Sequence, residues 1–314
     1  MEYVAFNDMR ISRLTLGTAQ LGYDYGIANT GGKPDYQKSV DILKLAADSG
    51  VNCFDTAPSY GDSEKIIGSF LSSYKNFSEP PVVVTKFTPI KPDGKITFQN
   101  IYRLVKKQVI ESLARLKIKK IPIYLLHDAA DINAYGGLVT KSLLKLKDEG
   151  LIGVLGASVY DPEDVEMVLK LGTMQAIQVP INIFDHRLIK TGLLEQLKNR
   201  GFIIFARSIF LQGLFFLKDS KLPPHLASAS TYLKKLQQLA ANYGTDIAEL
   251  ALTFVRDLPV ISSVVIGAEK PEQVQQNIKL MKSPPMSPKL REEIMSIFSN
   301  VPRGIIDPRT WNPG

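Results

Sequence analysis

The chain has 314 residues, a formal net charge of +7 at pH 7 and the hydrophobic content of an ordinary globular protein, which allows one α/β barrel or two smaller domains. Its single cysteine, Cys53, excludes an internal disulfide and any metal site built from several cysteines, and the sequence contains no His-Glu-x-x-His or EF-hand motif. No apolar run reaches the ~18–20 residues of a membrane span, the N-terminus lacks a signal-peptide pattern, and no aromatic-basic motif accompanies the lysines, so we expect a cytoplasmic protein with neither membrane nor nucleic-acid partners.

Hydrophobic spacing predicts strands and helices that alternate along the whole chain. A hairpin is predicted at residues 3–13, a long loop at 208–229 and an irregular tail at 301–314. The predicted strands cover residues 14–17, 51–54, 82–85, 121–126, 152–157, 174–179, 202–206 and 262–266. The predicted helices cover residues 36–49, 62–74, 98–116, 138–149, 162–171, 191–200, 231–243, 246–257, 271–281 and 288–299.

The eight strands are nearly continuous apolar runs, which is typical of a parallel sheet that is buried on both faces. Eight strand-helix units in this length fit a closed (β/α)8 barrel better than an open sheet, so we expect residues 1–314 to form a single domain. No Gly-x-Gly-x-x-Gly motif follows a strand, which argues against a Rossmann nucleotide site.

Side chains able to do acid-base chemistry follow three consecutive predicted strands. Asp55 ends the second strand, Tyr60 lies five residues later, Lys86 ends the third strand and His127 ends the fourth. The carboxyl ends of parallel barrel strands share one rim, so these four side chains can converge. Taken singly, each has a purely structural interpretation, such as a helix cap or a core histidine. Their common position after adjacent strands predicts an active site.

Several segments resemble the aldo-keto reductase superfamily. They are Gly-x-x-x-Phe-Asp-Thr-Ala-x-x-Tyr-Gly at 50–61, Lys86 after Val-Val-Val-Thr, His127 after Tyr-Leu-Leu, and Val-Ile-Gly-Ala-x-x-Pro-Glu-Gln-Val-x-x-Asn at 264–277. The resemblance covers essentially the whole chain. It implies a (β/α)8 barrel that binds NADP(H), or less often NAD(H), across its C-terminal rim and reduces carbonyls without a metal.

The resemblance also implies a role for each of the four side chains. Tyr60 would donate a proton to the carbonyl oxygen, although an unperturbed tyrosine with a pKa near ~10 is a weak acid at neutral pH. Lys86 would lower that pKa, Asp55 would keep Lys86 charged and oriented, and His127 would hydrogen-bond the carbonyl. The cofactor would supply the hydride.

Thirteen further residues match the cofactor-binding positions of the superfamily. They are Thr18, Ser158, Gln178, Arg207, Ser208, Leu211, Gln212, Gly213, Gly267, Glu269, Lys270, Gln273 and Asn277. Three positions depart from the usual pattern: Val159 replaces an asparagine, Arg207 an aromatic residue, and Glu269 a small hydroxyl residue near the 2′-phosphate. Family frequency favours NADP(H), but the carboxylate of Glu269 would repel that phosphate, so NAD(H) is the alternative.

Four residues are candidates for the wall of a substrate site, namely Tyr23, Tyr25, Arg309 and Trp311. Ordinary surface packing, or a hydrophobic plug in the case of Trp311, explains them equally well. The segments 16–22, 25–29 and 207–213 resemble a bacterial branch of the superfamily associated with sugar or surface-polysaccharide metabolism, which suggests a sugar-like carbonyl substrate. Two alternatives stay open: a nucleotide-sugar epimerase or mutase without net redox chemistry, and a cofactor-binding regulatory subunit. The sequence leaves the oligomeric state open.

Overall fold

A computed structural model, which describes residues 1–311, shows a closed barrel of eight parallel strands and confirms the predicted (β/α)8 fold. Around the barrel the strands follow one another in the order β3-β4-β5-β6-β7-β8-β9-β10, and β10 pairs with β3. The strands are β1 (Tyr3–Phe6), β2 (Met9–Ser12), β3 (Leu14–Gly17), β4 (Cys53–Asp55), β5 (Val82–Phe87), β6 (Ile121–Leu126), β7 (Ile152–Ser158), β8 (Ala176–Pro180), β9 (Ile203–Arg207) and β10 (Ser263–Gly267).

The helices surround the barrel and cover its outer face. They are α1 (Ala19–Gly22), α2 (Tyr36–Asp48), α3 (Ser63–Ser73), α4 (Phe98–Leu116), α5 (Ala134–Asp148), α6 (Pro162–Leu171), α7 (Arg187–Lys190), α8 (Leu193–Asn199), α9 (Ala229–Asn242), α10 (Ile247–Arg256), α11 (Pro271–Leu280), α12 (Pro288–Ile297) and α13 (Arg303–Ile306). Short 3₁₀ turns lie at Ala129–Ile132, Leu211–Phe216, Asp219–Lys221, Pro224–Leu226 and Pro308–Thr310. No helix in the described part of the chain is long and apolar enough to cross a membrane.

The barrel interior is filled by apolar side chains, and the predicted N-terminal hairpin packs against them. Strands β1 and β2 pair in antiparallel fashion, and Ile11 of β2 is fully buried with the interior cluster that includes Cys53 and Phe205. Asn52, just before β4, donates to the carbonyls of Arg10 and Pro80 at 2.7 and 2.8 Å, which ties the hairpin to the barrel. One end of the barrel is therefore filled, and the opposite end carries the strand carboxyl termini.

The structure contains two short helices that were not predicted, α1 and α7, and it differs from the sequence prediction in two further segments. The tail was predicted to be irregular, but it forms α13 and the turn Pro308–Thr310, because Asp307 caps that turn and Trp311, only 3% exposed, packs into the core. The predicted loop 208–229 is real, yet it contains three short 3₁₀ turns and α9 begins at its last residue. Residues 312–314 of the predicted tail lie outside the described residues.

Close packing of α3 on α4 depends on Gly68. A Cβ atom there would collide with the backbone carbonyl of Arg115 and with Leu116. In a free helix, replacing glycine with alanine stabilises by about 1 kcal/mol. We expect Gly68→Ala to lower the free energy of unfolding by about 2 kcal/mol instead, because the added methyl group would force the backbone of α4 to move.

Urea unfolding of the native and Gly68→Ala proteins measures this change in the free energy of unfolding. The matched control is Ser73→Ala at the exposed end of the same helix, which should stay within about 0.5 kcal/mol of the native protein. A Gly68→Ala protein as stable as the native one would contradict this account of the α3–α4 contact.

Candidate active site

The candidate site is built on the inward-facing side of the barrel strands. Successive side chains of a strand point to opposite faces, so a residue two positions beyond an inward-facing residue also points inward. On five strands the inward apolar residue is followed, two positions on, by a polar one at the carboxyl end. These pairs are Cys53 and Asp55, Val84 and Lys86, Leu125 and His127, Ala176 and Gln178, and Phe205 and Arg207.

A buried ion pair lies at the centre of this polar layer. Lys86 is fully buried, and its ammonium donates to Asp55 Oδ1 at 2.8 Å and to the carbonyl of Thr56 at 2.9 Å. Gln178, from the far side of the barrel, donates to the same Asp55 oxygen at 2.8 Å. Burial lowers the pKa of Lys86 from its ordinary value, and the charge of Asp55 and its hydrogen bond oppose that shift.

Tyr60 lies beside this ion pair. The Lys86 ammonium lies 4.9 Å from the centre of the Tyr60 ring, and the His127 ring centre is 5.8 Å away. Burial is the main cause that raises the pKa of Tyr60 well above its ordinary value, and the negative charge of Asp55 adds to it. The net shift is therefore opposite to the one expected from Lys86, because the burial of the phenol outweighs the positive charge of Arg207, which lowers this pKa.

His127 is held in its neutral form. Burial, together with the positive charges of Lys86 and Arg207, lowers its pKa to about 3. The Ser59 hydroxyl lies 3.5 Å from its Nδ1 atom. At neutral pH this side chain can offer one N–H donor and one acceptor nitrogen, and it carries no charge.

A cavity of about 460 Å³ opens beside Asp55 and Tyr60 and runs along the rim. It is large enough for a sizeable organic ligand. Ten of the thirteen residues predicted to bind the cofactor line it: Thr18, Gln178, Arg207, Ser208, Gln212, Gly213, Gly267, Glu269, Gln273 and Asn277. The other three do not: Ser158 and Leu211 are buried in the wall, and Lys270 is exposed outside it.

Two loops meet along one edge of the cavity. Ser208, Leu211 and Gln212 all have positive φ angles, at 63°, 47° and 54°. Such backbone conformations are costly for residues with a side chain and cluster at functional sites. The amide of Ile27 donates to the carbonyl of Gln212 at 3.1 Å, so residues 25–29 are fastened to this loop. Residues of both segments line the cavity.

The part of the cavity beside the start and middle of α11 is lined by a carboxylate and by amides. Glu269, Gln273, Gln276 and Asn277 line it. Gln273 Oε1 accepts from the backbone N–H of Glu269 at 2.6 Å and of Lys270 at 3.3 Å, so this side chain shapes the start of α11. Burial raises the pKa of Glu269, and Lys270 opposes this shift.

The structure separates the four residues predicted for the substrate wall. Tyr25 lines the cavity, and Tyr23 packs against Tyr60 with ring centres 6.1 Å apart. Arg309 does not line the cavity but stacks on Tyr160 at 3.8 Å. Trp311 lies in the core and donates to the carbonyl of Gly304 at 3.0 Å, as a hydrophobic plug would.

Sequence reasoning missed several residues that shape the site. Gln20, Asn29, Phe216 and Gln276 line the cavity, and Tyr160 stacks on Arg207 at 4.1 Å. The position of Tyr160, two residues beyond Ser158 at the end of β7, was a signal that could have identified it, since polar residues beyond barrel strands face the rim. In the described part of the chain, no group of three or more His, Cys, Asp or Glu side chains is arranged to hold a metal ion.

Comparison with known proteins gives matches over nearly the whole chain. The model of the Aldo/keto reductase family matches residues 13–297. An NADH-specific methylglyoxal reductase of Escherichia coli (strain K12) is 28% identical over 299 residues, covering 86% of this chain and 90% of that protein. An L-glyceraldehyde 3-phosphate reductase of the same strain is 24% identical over 312 residues, covering 90% of this chain and 87% of that protein.

Solved structures share the architecture. An aldo-keto reductase from Bacillus halodurans in its holo form superposes with a TM-score of 0.76 at 23% identity, covering 95% of this chain and 96% of that one. A glycerol dehydrogenase from Gluconobacter oxydans gives a TM-score of 0.72 at 23% identity, with coverage of 100% and 98%. At these identities the likeness establishes the shared barrel fold.

The neutral state of His127 makes stability depend on pH. In the unfolded chain its imidazole titrates at 6.5, and in the folded protein at about 3. Between these values the unfolded state binds more protons, so the free energy of unfolding falls as the pH falls below 6.5. Replacement by a non-titrating residue, His127→Asn, should remove about 2 kcal/mol of the loss between about pH 7.5 and pH 5.

Urea unfolding of both proteins at the two pH values measures the effect. The control is the interval above about pH 7.5, where the histidine is neutral in both states and the difference between the proteins should be constant. Parallel pH dependence of the two proteins down to pH 5 would show that His127 is protonated in the folded state.

Proposed function

The chain belongs to the aldo/keto reductase family, since that family's model matches residues 13–297, and from this membership we propose that residues 1–314 form one catalytic domain that reduces an aldehyde or ketone to the alcohol with NAD(P)H. The observation that carries this proposal is the buried pair of Lys86 and Asp55 beside Tyr60 and neutral His127, with Asp55 and Tyr60 lining the cavity. Cytoplasmic location and the lack of nucleic-acid partners stay predictions.

Tyr60 is the proton donor in this proposal. Its raised pKa keeps the phenol protonated at rest, so the proton is present when negative charge develops on the carbonyl oxygen. An ammonium has three N–H donors, and Lys86 donates two of them to Asp55 and to the carbonyl of Thr56. The third is free to bond the phenolate as it forms, which stabilises the charge at the moment of transfer.

Asp55 acts on Lys86 rather than on the substrate. Without a carboxylate partner, a fully buried lysine tends to lose its proton. Removal of one member of a buried ion pair costs about 3–5 kcal/mol, so each partner keeps the other charged. Gln178 fixes the orientation of the carboxylate through the bond to Oδ1.

His127 orients the carbonyl. A neutral imidazole can donate one N–H to the carbonyl oxygen without delivering a proton to it. Because its pKa is about 3, this donor stays in the same state across neutral pH. Acid and orienting group are thus separate residues that lie on the same rim.

The chemistry of the cavity lining fits a nicotinamide dinucleotide. Gln178 donates to Asp55 and retains a free carbonyl oxygen for a carboxamide, with Ser158 beside it in strand register. The strained loop 208–213 lines the cavity, and its backbone N–H groups would be the donors for a pyrophosphate. Gln273 and Asn277 would hold the adenosine end. When bound there, the reduced nicotinamide supplies the hydride.

We propose NAD(H) as the preferred cofactor, in place of the NADP(H) that family frequency favours. Glu269 lines the adenosine end, and no cationic side chain among the described residues lines the cavity there. A carboxylate repels a 2′-phosphate but can accept hydrogen bonds from a ribose diol. The similarity to an NADH-specific reductase supports the same choice.

The substrate is proposed to be a small polar carbonyl compound. The similar proteins from Escherichia coli are named for methylglyoxal and for L-glyceraldehyde 3-phosphate, both of which are small and polar. Tyr23, which is 38% exposed and packs against Tyr60, and the partly buried Tyr25 beside it provide aromatic surface for such a molecule, including a sugar-like one.

The role of Tyr60 is tested by removal of its hydroxyl. We expect Tyr60→Phe to lower kcat for aldehyde reduction by about 10³-fold, because general acid catalysis of this kind contributes about 10²–10⁴-fold. The dissociation constant for NADH should change by no more than about twofold, since the ring remains. The measurements are NADH oxidation by absorbance and cofactor titration by fluorescence.

Tyr243→Phe is the matched control, since Tyr243 bonds Glu293 on the surface of the barrel. Product analysis should show one alcohol formed for each NADH oxidised, which separates a reductase from a non-redox epimerase. Unchanged turnover in Tyr60→Phe would refute the assignment of the acid.

Cofactor preference is tested at Glu269. We expect the native protein to bind NADH more tightly than NADPH, and Glu269→Gln to reduce that preference about tenfold by removing one repulsive charge. The control is Glu272→Gln, which removes the same charge from an exposed position in the first turn of α11. Equal effects of the two substitutions would mean that net charge alone, and not Glu269, sets the preference.

A further inference from the structure

Arg207 is the cation of the cavity wall. Among the described residues that line the cavity it is the only lysine or arginine, and Asp55 and Glu269 are the acidic ones. Its guanidinium donates to the carbonyl of Val159 at 2.9 Å and to the Ser208 hydroxyl at 3.2 Å. A guanidinium has five N–H donors, so three stay free for a ligand.

The pairing of Arg207 differs from that of other arginines near the rim. Arg187 and Arg309 each bond an aspartate within 2.8 Å. Arg207 makes no ion pair with any carboxylate of residues 1–311, although it is largely buried. A partly desolvated charge without a counter-ion favours binding of an anion.

The orientation of Arg207 is fixed by a three-layer stack. Its guanidinium lies 4.1 Å from the centre of the Tyr160 ring, and Arg309 lies 3.8 Å from the same centre. Arg309 is anchored in turn by Asp307 at 2.7 Å and Asp161 at 3.0 Å. Stacking occupies the flat face of Arg207 and leaves the edge, with its N–H groups, free to hydrogen-bond.

We propose that Arg207, positioned by Tyr160 and Arg309, selects carbonyl substrates that carry an anionic group, either a carboxylate or a phosphate. This inference rests on the proposed function and names its substrate class. The net charge of +7 would draw such substrates towards the protein. A planar guanidinium edge matches the two oxygens of a carboxylate or phosphate.

The location of the charge supports a contact with substrate. Arg207 lies close enough to Tyr60 and His127 for its positive charge to lower the pKa of both side chains. These are the groups proposed to act on the carbonyl, so a substrate held by Arg207 would lie in the same part of the cavity as Tyr60. The strained loop 208–213, by contrast, lines the part of the cavity proposed for the pyrophosphate.

The test compares aldehydes with and without an anionic group. Succinic semialdehyde is paired with butanal for the carboxylate, and glyceraldehyde 3-phosphate with glyceraldehyde for the phosphate. For each pair the ratio of kcat/KM, charged over neutral, is measured with NADH. In the native protein the ratio should exceed about tenfold for at least one pair, and the pair that shows it identifies the anion.

Arg207→Leu should lower that ratio at least about tenfold, to near unity, because the charge-assisted hydrogen bonds to the anion are lost. Arg207→Lys should restore part of it, since the charge returns without the planar edge. Tyr160→Leu should raise KM for the charged substrate about fivefold with little change in kcat, whereas Tyr160→Phe, which keeps the ring, should behave as the native protein.

Two results would overturn the inference. One is a ratio near unity in the native protein for both pairs. The other is an unaltered ratio in Arg207→Leu together with a weaker affinity for NADH, which would assign the guanidinium to the cofactor. In both cases reduction of the neutral aldehydes would leave the proposed function standing. Failure of the native protein to reduce any of the four aldehydes would overturn the proposed function as well.

Discussion

The buried ion pair of Lys86 and Asp55 is the constraint on which the rest of the site depends. A fully desolvated ammonium is tolerated only if its charge and its N–H groups are satisfied. Asp55 and the carbonyl of Thr56 meet part of this requirement, and Gln178 bonds the carboxylate from the far side of the barrel. These partners come from β4, β5 and β8, so the pair is complete only when the barrel has closed. Fold and site are therefore specified together.

Much of this arrangement could be predicted because it follows from the period of a strand. Asp55, Lys86 and His127 stand at strand ends that the apolar runs reveal, and parallel strands bring those ends to one rim. Most of the cofactor positions likewise line the cavity, since loops after strands face the same rim. The hydrophobic pattern of a single strand was sufficient to predict a site residue wherever that strand alone sets the residue's position.

Prediction failed where contacts between distant segments decide the outcome. Arg309 and Trp311 were candidates for the substrate wall, with a structural role as the equal alternative, and the sequence could not decide between the two. Asp307 caps the last turn of the tail, Arg309 stacks on Tyr160, and Trp311 enters the core as the hydrophobic plug that the alternative described. The direction in which the pKa of Tyr60 shifts also could not be predicted from the sequence. It depends on how deeply the phenol is buried, and the spacing of residues along the chain does not contain that information.

Two cations, Lys86 and Arg207, lie near Tyr60, and they differ in their partners. In the ground state the positive charge of Lys86 is balanced by the carboxylate of Asp55. The same charge can then stabilise a phenolate that forms on Tyr60. Arg207 has no such partner among the described residues and is held by an aromatic face. A cation that is already paired can stabilise a transient charge, whereas an unpaired one attracts a permanent anion. The two cations would otherwise compete for one ligand, and we therefore propose that their different partners separate the role of Lys86 in proton transfer from the role of Arg207 in substrate choice.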